Sequence, residues 1–231
     1  MKISVIIPFK NEREYARVTM EKVESFLKKE KRDFEIIAVD DSNDGTWEII
    51  KGFEKRHKRV KAIKGDKPAG YGKALRKGFS LATGDILIPF NGDMCDSLED
   101  LMKYVRVIEG GYDMAFGSRY MEGGRFIDYP SHKIMFSRLG NLFLMAVFRV
   151  RCTDITNTFK AFRSEVVEAV RPRAESYELG LELALKGVRK GFTYKTIPIS
   201  WTGRKYGRSK MRLAVSIIKH FRMSAKILLG G

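Results

Sequence analysis

Short apolar runs alternate with amphipathic stretches along the first half of the chain. The apolar runs are rich in β-branched and aliphatic residues, which predicts buried strands over residues 3–7, 34–39, 60–63, 86–90 and 114–118. Between them, apolar positions recur with helical spacing over residues 12–30, 46–57, 73–82 and 98–108. This order is typical of βαβ units, in which helices cover a parallel sheet.

The alternation weakens after Gly123 and Gly124. A Met-, Phe- and Leu-rich stretch predicts a helix over residues 133–148, two weaker elements cover residues 161–170 and 179–190, and a last strand covers residues 194–199. The pattern of residues 212–229 predicts an amphipathic helix. Its apolar stripe contains Leu213, Ile217, Phe221 and Leu228, and its basic side contains Lys219, Arg222 and Lys226. Two interpretations of this helix stay open: packing on the core, or binding to an anionic membrane surface.

A chain of 231 residues can bury one sizeable core. We therefore predict a single α/β domain over residues 1–211, Rossmann-like, with a mostly parallel central sheet and flanking helices. Residues 212–231 are predicted to form a basic amphipathic C-terminal helix with the character of a membrane-interfacial segment.

Charge is distributed unevenly. The formal net charge is +16, and the segment after Glu182 contains twelve Lys and Arg but no Asp or Glu. Such asymmetry indicates an anionic partner: nucleic acid, an acidic membrane surface or a phosphate-bearing ligand. Nucleic acid is the least favoured of these, because the cations are not interleaved with aromatic side chains that could stack on bases.

Cysteine usage and hydropathy bear on the compartment. Cys95 and Cys152 give neither a disulfide framework nor a zinc-ligand spacing, which is typical of a reducing compartment. The N-terminal apolar run is too short for a signal peptide, and the longest charge-free apolar run, residues 142–148, is far below the ~18 residues of a membrane-spanning helix. We expect a cytoplasmic protein, peripheral at the cytoplasmic face of a membrane.

Polar residues follow three of the predicted strands directly. They occupy residues 8–12 (Pro-Phe-Lys-Asn-Glu), 40–46 (Asp-Asp-Ser-Asn-Asp-Gly-Thr) and 91–93 (Asn-Gly-Asp). Ligands of doubly wound sheets bind beyond the carboxyl ends of the strands, so these loops are expected to form the site. The first loop lacks G-x-G-x-x-G, which argues against a nicotinamide dinucleotide. Asp41 could accept hydrogen bonds from a base or ribose; alternatively, the acidic stretch only caps the next helix.

The Asn91-Gly92-Asp93 loop is the candidate metal site. A carboxylate after a buried strand can hold Mg²⁺ or Mn²⁺ by one or two oxygens while the ion bridges donor phosphates. Glycine at position 92 would let a ligand approach the backbone. Arg119 follows the predicted strand over residues 114–118, and residues 204–210 contain four cations, so both could hold phosphate groups.

Taken in order, these motifs resemble family 2 glycosyltransferases of the GT-A fold, above all the dolichyl-phosphate mannose synthase-like branch. The resemblance covers nearly the whole chain. It rests on Val-Ile-Ile-Pro and Asn-Glu (within residues 5–12), Val-Asp-Asp-Ser and Asp-Gly-Thr (within 39–46), Gly84-Asp85, Asn91-Gly92-Asp93, Gly-Ser-Arg-Tyr (117–120), and Arg204 with Gly207, Ser209 and Lys210. It implies a metal-dependent, inverting transfer of a hexose from a GDP- or UDP-sugar to a polyprenyl or dolichyl phosphate. The implied partners are an anionic membrane surface and a membrane-anchoring subunit, not nucleic acid.

The resemblance also implies roles for individual residues. Donor contacts fall on Pro8, Lys10, Glu12, Val39, Asp41, Gly92 and Lys210. Arg119 and Arg204 join Asp93 as the catalytic set, and Lys133 and Ser137 hold the acceptor phosphate. The metal ligands are Asn91, Asp93 and Cys95. Glu178 and Glu182 resemble the family's acidic pair, with ordinary exposed helix acids as the alternative.

Three positions depart from the family's pattern. Asn91 stands where the family's D-x-D has its first carboxylate, so it offers only a neutral amide oxygen. Cys95 stands where the synthases carry Gln, and Lys133 where they carry Arg; a lysine cannot form a bidentate fork with phosphate. These departures leave the donor and the acceptor open.

A polyprenyl phosphate acceptor would need no strong general base, because a phosphate monoester is already largely ionised near neutral pH, with a second pKa of about 6. Catalysis would then rest on placement and on neutralising the leaving diphosphate. Three alternatives stay open: transfer to another glycan, which requires a base; a basic nucleic-acid-binding protein; and a nucleotide-sugar binder without turnover.

Overall fold

Seven strands form the central sheet of the computed structural model. The structure describes residues 1–128, 131–204 and 213–230, and for residues 131–133 and 213–214 it describes the backbone only. The sheet contains β1 (Ile3–Phe9), β2 (Phe34–Asp40), β3 (Val60–Lys64), β4 (Ile86–Pro89), β5 (Met114–Ser118), β7 (Lys160–Arg163) and β8 (Tyr194–Pro198). A second, two-stranded sheet pairs β6 (Arg125–Ile127) with β9 (Ser200–Thr202). The helices are α1 (Arg13–Lys29), α2 (Thr46–Glu54), α3 (Tyr71–Leu81), α4 (Leu98–Glu109), α5 (Ser131–Phe148), α6 (Ser164–Val170), α7 (Leu179–Arg189) and α8 (Leu213–Leu228).

The strand order of the central sheet is β3-β2-β1-β4-β7-β5-β8. All its neighbouring strands run parallel except at β7, which is antiparallel to both β4 and β5. The predicted mostly parallel α/β fold is therefore confirmed. The order reverses between β1 and β4, so the carboxyl ends of these two strands flank a topological switch point, where ligands of such sheets bind.

Helices cover both faces of the sheet, which explains the unbroken apolar runs of the central strands. On β1, Val5 and Ile7 pack in the cluster that includes Ala16 of α1, whereas Ile6 faces the opposite cluster with Leu75 of α3. Alternate residues of a strand point to opposite faces, so a strand buried on both sides must be apolar throughout.

The second half of the chain departs from the predicted pattern. Residues 161–170, predicted only as one weak element, divide into strand β7 and helix α6. The predicted last strand stops at Pro198, and the chain continues into the separate strand β9. Strands of three or four residues such as β6, β7 and β9 are too short to give a periodic pattern.

Helix α8 shows which side of the C-terminal segment is buried. Ile227 lies in the same apolar cluster as Leu144 of α5. Ile217, Phe221 and Leu228 of the predicted stripe are instead 41%, 49% and 52% exposed, so the core-packing interpretation is wrong for these three residues. The side chain of Leu213 lies outside the description. Among the described residues, none of the helices has the length and apolar character required to span a bilayer.

We predict that Glu35 makes folding stability depend on pH below neutrality. This buried carboxylate accepts hydrogen bonds from Ser4 Oγ (2.8 Å), Lys61 Nζ (2.9 Å) and the Thr83 amide (2.6 Å). Burial raises the pKa of Glu35, but the bonds from Lys61, Thr83 and Ser4 outweigh burial and lower it from 4.5 to about 2. Between these two pH values the unfolded chain binds a proton that the folded chain does not, so stability falls as the pH falls.

The test compares urea unfolding of the wild type and Glu35→Gln at about pH 5 and about pH 2.5. The acid-induced loss of unfolding free energy should be about 2 kcal/mol smaller in the variant. Glu21→Gln, at an exposed position of α1, is the matched control and should behave as the wild type. Equal losses in the wild type and Glu35→Gln would show that Glu35 does not carry this pH dependence.

Candidate functional site

A cleft of about 890 Å³ opens at the carboxyl ends of β1, β2 and β4. All three predicted strand-end loops line it, and so do Arg119, which follows β5, and Arg204, which follows β9. The predicted site residues that line the cleft are Pro8, Lys10, Glu12, Asp41, Asn91, Gly92, Asp93, Arg119, Ser137 and Arg204. The fold thus brings together residues from both ends of the sequence.

Other predicted site residues lie elsewhere. Val39, expected at the nucleoside, is fully buried in a small cluster with Ile37 and Ala74, so its side chain belongs to the core. Cys95 is buried and is not among the residues that line the cleft. The side chain of Lys133 and the whole of Lys210 lie outside the described residues.

The acidic pair, Glu178 and Glu182, is buried and does not line the cleft. Glu182 accepts hydrogen bonds from the backbone amides of Arg173 and Ala174, both at 2.8 Å, and pairs with Lys186 at 3.1 Å. Glu178 is 7% exposed. The interpretation of these two residues as ordinary exposed helix acids is therefore wrong, and Glu182 holds the segment that precedes α7.

Three charged residues form the centre of the polar end of the cleft. Arg204 Nη2 lies 2.6 Å from Asp93 Oδ2 and 2.9 Å from Glu12 Oε1, and Arg204 Nη1 donates to Glu12 Oε2 at 3.3 Å. Burial lowers the pKa of Arg204, but attraction to Asp93 and Glu12 outweighs burial and raises it. One guanidinium thus joins the loops after β1 and β4 to the segment after β9.

The backbone supports this arrangement. The Thr202 amide donates to the Cys95 carbonyl at 3.0 Å, and an isolated bridge pairs Asp96 with Trp201. Strand β9 is therefore fixed beside the loop that carries Asp93, and Arg204 follows two residues later.

Asn91 is occupied by hydrogen bonds within the protein. Its Oδ1 accepts from the Tyr71 hydroxyl at 3.0 Å, and its Nδ2 donates to Asp96 Oδ2 at 2.7 Å. Burial and the neighbouring Asp93 raise the pKa of Asp96 to about 7. A metal ion could use only the remaining lone pair of the Asn91 amide oxygen, so Asn91 is better placed to organise the loop than to bind a cation.

Cys95 has little chemistry to offer a hard cation. Its thiol is buried, and burial together with the nearby Asp93 raises its pKa far above neutral, so it stays protonated. Mg²⁺ prefers oxygen ligands, and a thiol binds metals as the thiolate. The Asp93 carboxylate, in contrast, faces the cleft and already holds a cationic group, Arg204. The geometry favours Asp93 over Asn91 and Cys95 as the metal ligand.

Gly92 is required for packing. A Cβ atom at this position would lie 2.7 Å from the Cδ1 and Cε1 atoms of Phe9, closer than real Cβ contacts. The sequence predicts that glycine here lets a ligand approach the backbone. The structure adds a second reason for glycine at position 92: the loop after β4 packs directly on the end of β1.

Arg119 is held by a buried carboxylate. Its Nε lies 2.6 Å and its Nη2 2.9 Å from the two oxygens of Asp154, and its backbone amide donates to the same carboxylate at 3.1 Å. Lys160, also buried, donates to the carbonyls of Ile155 and Asn157. Together Asp154 and Lys160 fix the loop whose residues 156–158 line the cleft.

Asp41 has the features of a ligand acceptor. It lines the cleft, and its Oδ1 is buried without a hydrogen-bond partner in the described part of the chain. Burial raises its pKa, an effect that a hydrogen bond from Gly70 and the charges of Lys67 and Lys10 reduce. A buried acceptor without a donor is costly, so a ligand that supplies an N–H or O–H group there would be stabilised.

The other end of the cleft is apolar. Helix α5 contributes Phe136, Leu139, Phe143 and Leu144, and helix α8 contributes Ile217 and Phe221. The rings of Phe143 and Phe221 lie 5.8 Å apart between centroids, so the two helices meet there. The cleft thus joins a charged pocket at the sheet edge to an apolar channel between α5 and α8.

Sequence reasoning missed several residues that shape this site. Tyr177 lines the cleft and stacks on Tyr71, with 4.6 Å between the ring centroids, and Asp154 and Lys160 fix the loop that carries residues 156–158. Asp96 could have been noticed, because it follows Asp93 in the same strand-end loop. Asp154 and Tyr177 gave no signal, because their partners Arg119 and Tyr71 are far away in the sequence: 35 residues separate Asp154 from Arg119.

Comparison with known proteins adds independent information. Residues 4–171 match the model of glycosyl transferase family 2. A dolichol-phosphate mannosyltransferase of Pyrococcus furiosus is 31% identical over 92% of this chain and 60% of its own length. A polyprenol monophosphomannose synthase of Mycolicibacterium smegmatis is 30% identical over 90% of this chain and 80% of its own length. The chain therefore spans less than two thirds of the first of these relatives.

Solved structures share the fold at low sequence identity. Glucosyl-3-phosphoglycerate synthase of Mycobacterium tuberculosis, crystallised with Mn²⁺, UDP and glucosyl-3-phosphoglycerate, is 16% identical and superposes with a TM-score of 0.74 over 96% of this chain and 78% of its own. Mannosyl-3-phosphoglycerate synthase of Rubrobacter xylanophilus is also 16% identical, with a TM-score of 0.76 over 100% of this chain and 74% of its own.

We predict that Asp154 stabilises the fold much more than an exposed acidic residue does. Asp154→Asn removes the buried charge that holds the largely buried Arg119 guanidinium at 2.6 Å, which costs about 3 kcal/mol of unfolding free energy. Chemical denaturation of Asp154→Asn measures this loss. Asp66→Asn, which breaks the exposed pair with Lys77, is the matched control and should cost less than about 1 kcal/mol. Equal losses in both variants would contradict the structural role of Asp154.

Proposed function

The chain belongs to glycosyl transferase family 2, and from that premise we propose that it transfers a hexose, mannose or glucose, from a GDP- or UDP-sugar to a polyprenyl phosphate with inversion at the anomeric carbon. The observation that carries this proposal is the two-ended cleft, charged at the sheet edge and apolar between α5 and α8. A nucleotide-sugar is polar and anionic, and a polyprenyl phosphate joins an anionic head to an apolar chain. The cleft offers a matching surface to each.

The donor would occupy the charged end. Asp41 Oδ1, buried without a partner among the described residues, would accept a hydrogen bond from the nucleoside. Lys10 and Arg204 line the same region and would face the diphosphate. Arginine is suited to this contact because its planar fork matches phosphate geometry.

Asp93 would hold a divalent cation, Mg²⁺ or Mn²⁺, together with the donor. Such ions are commonly held by one or two carboxylates plus substrate phosphates, so the carboxylate of Asp93 and the donor phosphates together would be enough to hold the ion. When bound, the ion would offset the negative charge that develops on the leaving diphosphate. Asn91, hydrogen-bonded to Tyr71 and Asp96, would keep the loop that carries Asp93 in place.

The acceptor would enter from the apolar end. The side chains of α5 and α8 that line the channel would contact the first prenyl units, and Ser137 lies on the same wall. A phosphate acceptor is already ionised near neutral pH, so the site needs no general base. The site must still place acceptor and donor in line and exclude water. Arg119, fixed by Asp154, would help to place them, and the walls of the cleft would exclude water.

We further propose that α5 and α8 rest on an anionic membrane surface. Met135, Phe136, Leu139 and Phe143 of α5 are each more than half exposed, as are Ile218 and Leu228 of α8. Exposed cations flank this apolar surface: Arg138 on α5, and Arg222 and Lys226 on α8. Large apolar patches with a basic rim are typical of interfacial helices. This orientation would present the channel directly to a lipid head group. A membrane-anchoring subunit stays a prediction.

We predict that Asp93→Asn abolishes metal-supported donor binding and lowers transfer at least about 100-fold, because the neutral amide no longer binds the cation strongly. Thermal unfolding is measured with GDP-mannose, UDP-glucose and UDP-mannose, each with and without Mn²⁺. A productive donor should stabilise the wild type by about 2.7 kcal/mol at a hundred times its Kd. The variant should lose the Mn²⁺-dependent part, whereas Asp66→Asn should keep it. Full turnover by Asp93→Asn would contradict the metal assignment.

We predict that the exposed apolar surface of α5 and α8 drives membrane binding. Met135→Gln combined with Ile218→Gln removes two exposed residues that do not line the cleft, and it should weaken binding to phosphatidylglycerol-containing vesicles about tenfold or more. Val18→Gln with Leu81→Gln, at exposed apolar positions of α1 and α3, is the matched control.

Binding should also weaken with added salt and with neutral phosphatidylcholine vesicles, because the basic rim attracts anionic lipid. Sedimentation with vesicles measures both effects. Failure of the wild type to bind anionic vesicles, together with a dimer that the α5–α8 variant disrupts, would show that a second copy covers this surface and would contradict the proposal.

A further inference from the structure

The guanidinium of Arg204 stands in contact with the carboxylate oxygen that a donor-bound metal would need. We propose that Arg204 is the internal counter-cation of the donor site, and that the donor–metal complex displaces it from Asp93 onto the donor diphosphate. This inference rests on the proposed function, because it takes Asp93 as the ligand of the metal that accompanies the donor.

The distances define the competition. A single nitrogen, Nη2, lies 2.6 Å from Asp93 Oδ2 and 2.9 Å from Glu12 Oε1. A divalent cation bound to Asp93 Oδ2 would lie close to this positive nitrogen, with strong repulsion in a partly buried site. The other Asp93 oxygen accepts a hydrogen bond from the Cys95 amide at 3.2 Å, which holds the carboxylate in its present orientation. Metal and guanidinium therefore compete for one position.

Glu12 gives Arg204 a pivot. The second nitrogen, Nη1, donates to Glu12 Oε2 at 3.3 Å, and Glu12 is only 8% exposed. When Nη2 leaves Asp93, the contact through Nη1 can persist, so the guanidinium can turn toward the cleft without leaving the site. Arg204 lines that cleft, where a diphosphate would supply new acceptor oxygens.

Charge explains why the two ligands would bind together. A metal ion that binds without the donor must displace the Arg204 guanidinium from Asp93, and the displaced guanidinium then faces the positive charge of the metal. A nucleoside diphosphate brings negative charge that pairs with both the metal and Arg204. Each ligand therefore lowers the cost of binding the other, and linkage requires the effect to be reciprocal. In this proposal Arg204 contacts the donor diphosphate directly and couples metal binding to donor binding.

The test is a titration of the whole chain with Mn²⁺, followed by the electron paramagnetic resonance signal of the free ion. The wild type, Arg204→Gln and Arg17→Gln are compared, each alone and with GDP or UDP. Arg17 is an exposed arginine of α1 outside the cleft, so it controls for the loss of one positive charge. Without nucleotide, Arg204→Gln should bind Mn²⁺ about tenfold more tightly than the wild type, and Arg17→Gln should match the wild type.

With nucleotide present, the wild type should bind Mn²⁺ more tightly than Arg204→Gln does. GDP or UDP should tighten Mn²⁺ binding to the wild type, whereas Arg204→Gln should lose most of this coupling and bind the nucleotide about tenfold more weakly. Thermal unfolding gives a second measurement: Mn²⁺ alone should raise the melting temperature of Arg204→Gln more than that of the wild type. Arg204→Lys retains the charge, so it should bind Mn²⁺ alone as weakly as the wild type does.

Two failures are distinguishable. If Arg204→Gln and the wild type bind Mn²⁺ equally without nucleotide, while Asp93→Asn loses binding, the competition is refuted but the metal site stands. If the wild type, with or without nucleotide, and Arg204→Gln all fail to bind Mn²⁺, the metal assignment in the proposed function fails, and this inference fails with it.

Discussion

The ion pairs that Arg204 makes with Glu12 and Asp93 join the loops after β1 and β4 to the segment after β9. Glu12 and Arg204 are 192 positions apart in the sequence. Because burial makes an unpaired charge costly, each of the three charges is stabilised by its neighbours in the cleft. Further along the chain, α8 meets α5, where the rings of Phe143 and Phe221 lie 5.8 Å apart between centroids.

This placement gives the cleft its two chemically different ends. The charged end is built on rigid strands, whose loops are fixed by the packing of Gly92 on Phe9 and by the hydrogen bonds of Asn91. The apolar end is built from two helices that meet at Phe143 and Phe221 and leave much of their apolar surface exposed. A transferase that moves a sugar from a water-soluble nucleotide to a membrane lipid needs both surfaces in one cleft, and the proposed function follows from their junction.

The departures from the family's motifs acquire a physical meaning in this setting. Asn91 keeps an amide where a carboxylate is usual, and that amide bridges Tyr71 and Asp96. Cys95 is buried and protonated, and it supports the loop through its backbone. Asp93 is thus the principal candidate for the cation, and Arg204 already neutralises it. In the proposed site, the affinity for metal would depend on the competing guanidinium of Arg204 as well as on the number of ligands.

The sequence by itself determined the α/β class, most elements of the first half and the three strand-end loops, because apolar periodicity and local motifs are encoded by neighbouring residues. It could not reveal the antiparallel strand β7, the pairing of β6 with β9 or the exposure of the α8 stripe, because strands of three or four residues carry no periodicity and burial depends on partners elsewhere. The tertiary structure alone decided that Asp154 holds Arg119 and that Arg204 joins Glu12 to Asp93. These contacts link residues far apart along the chain, and only folding sets their distances.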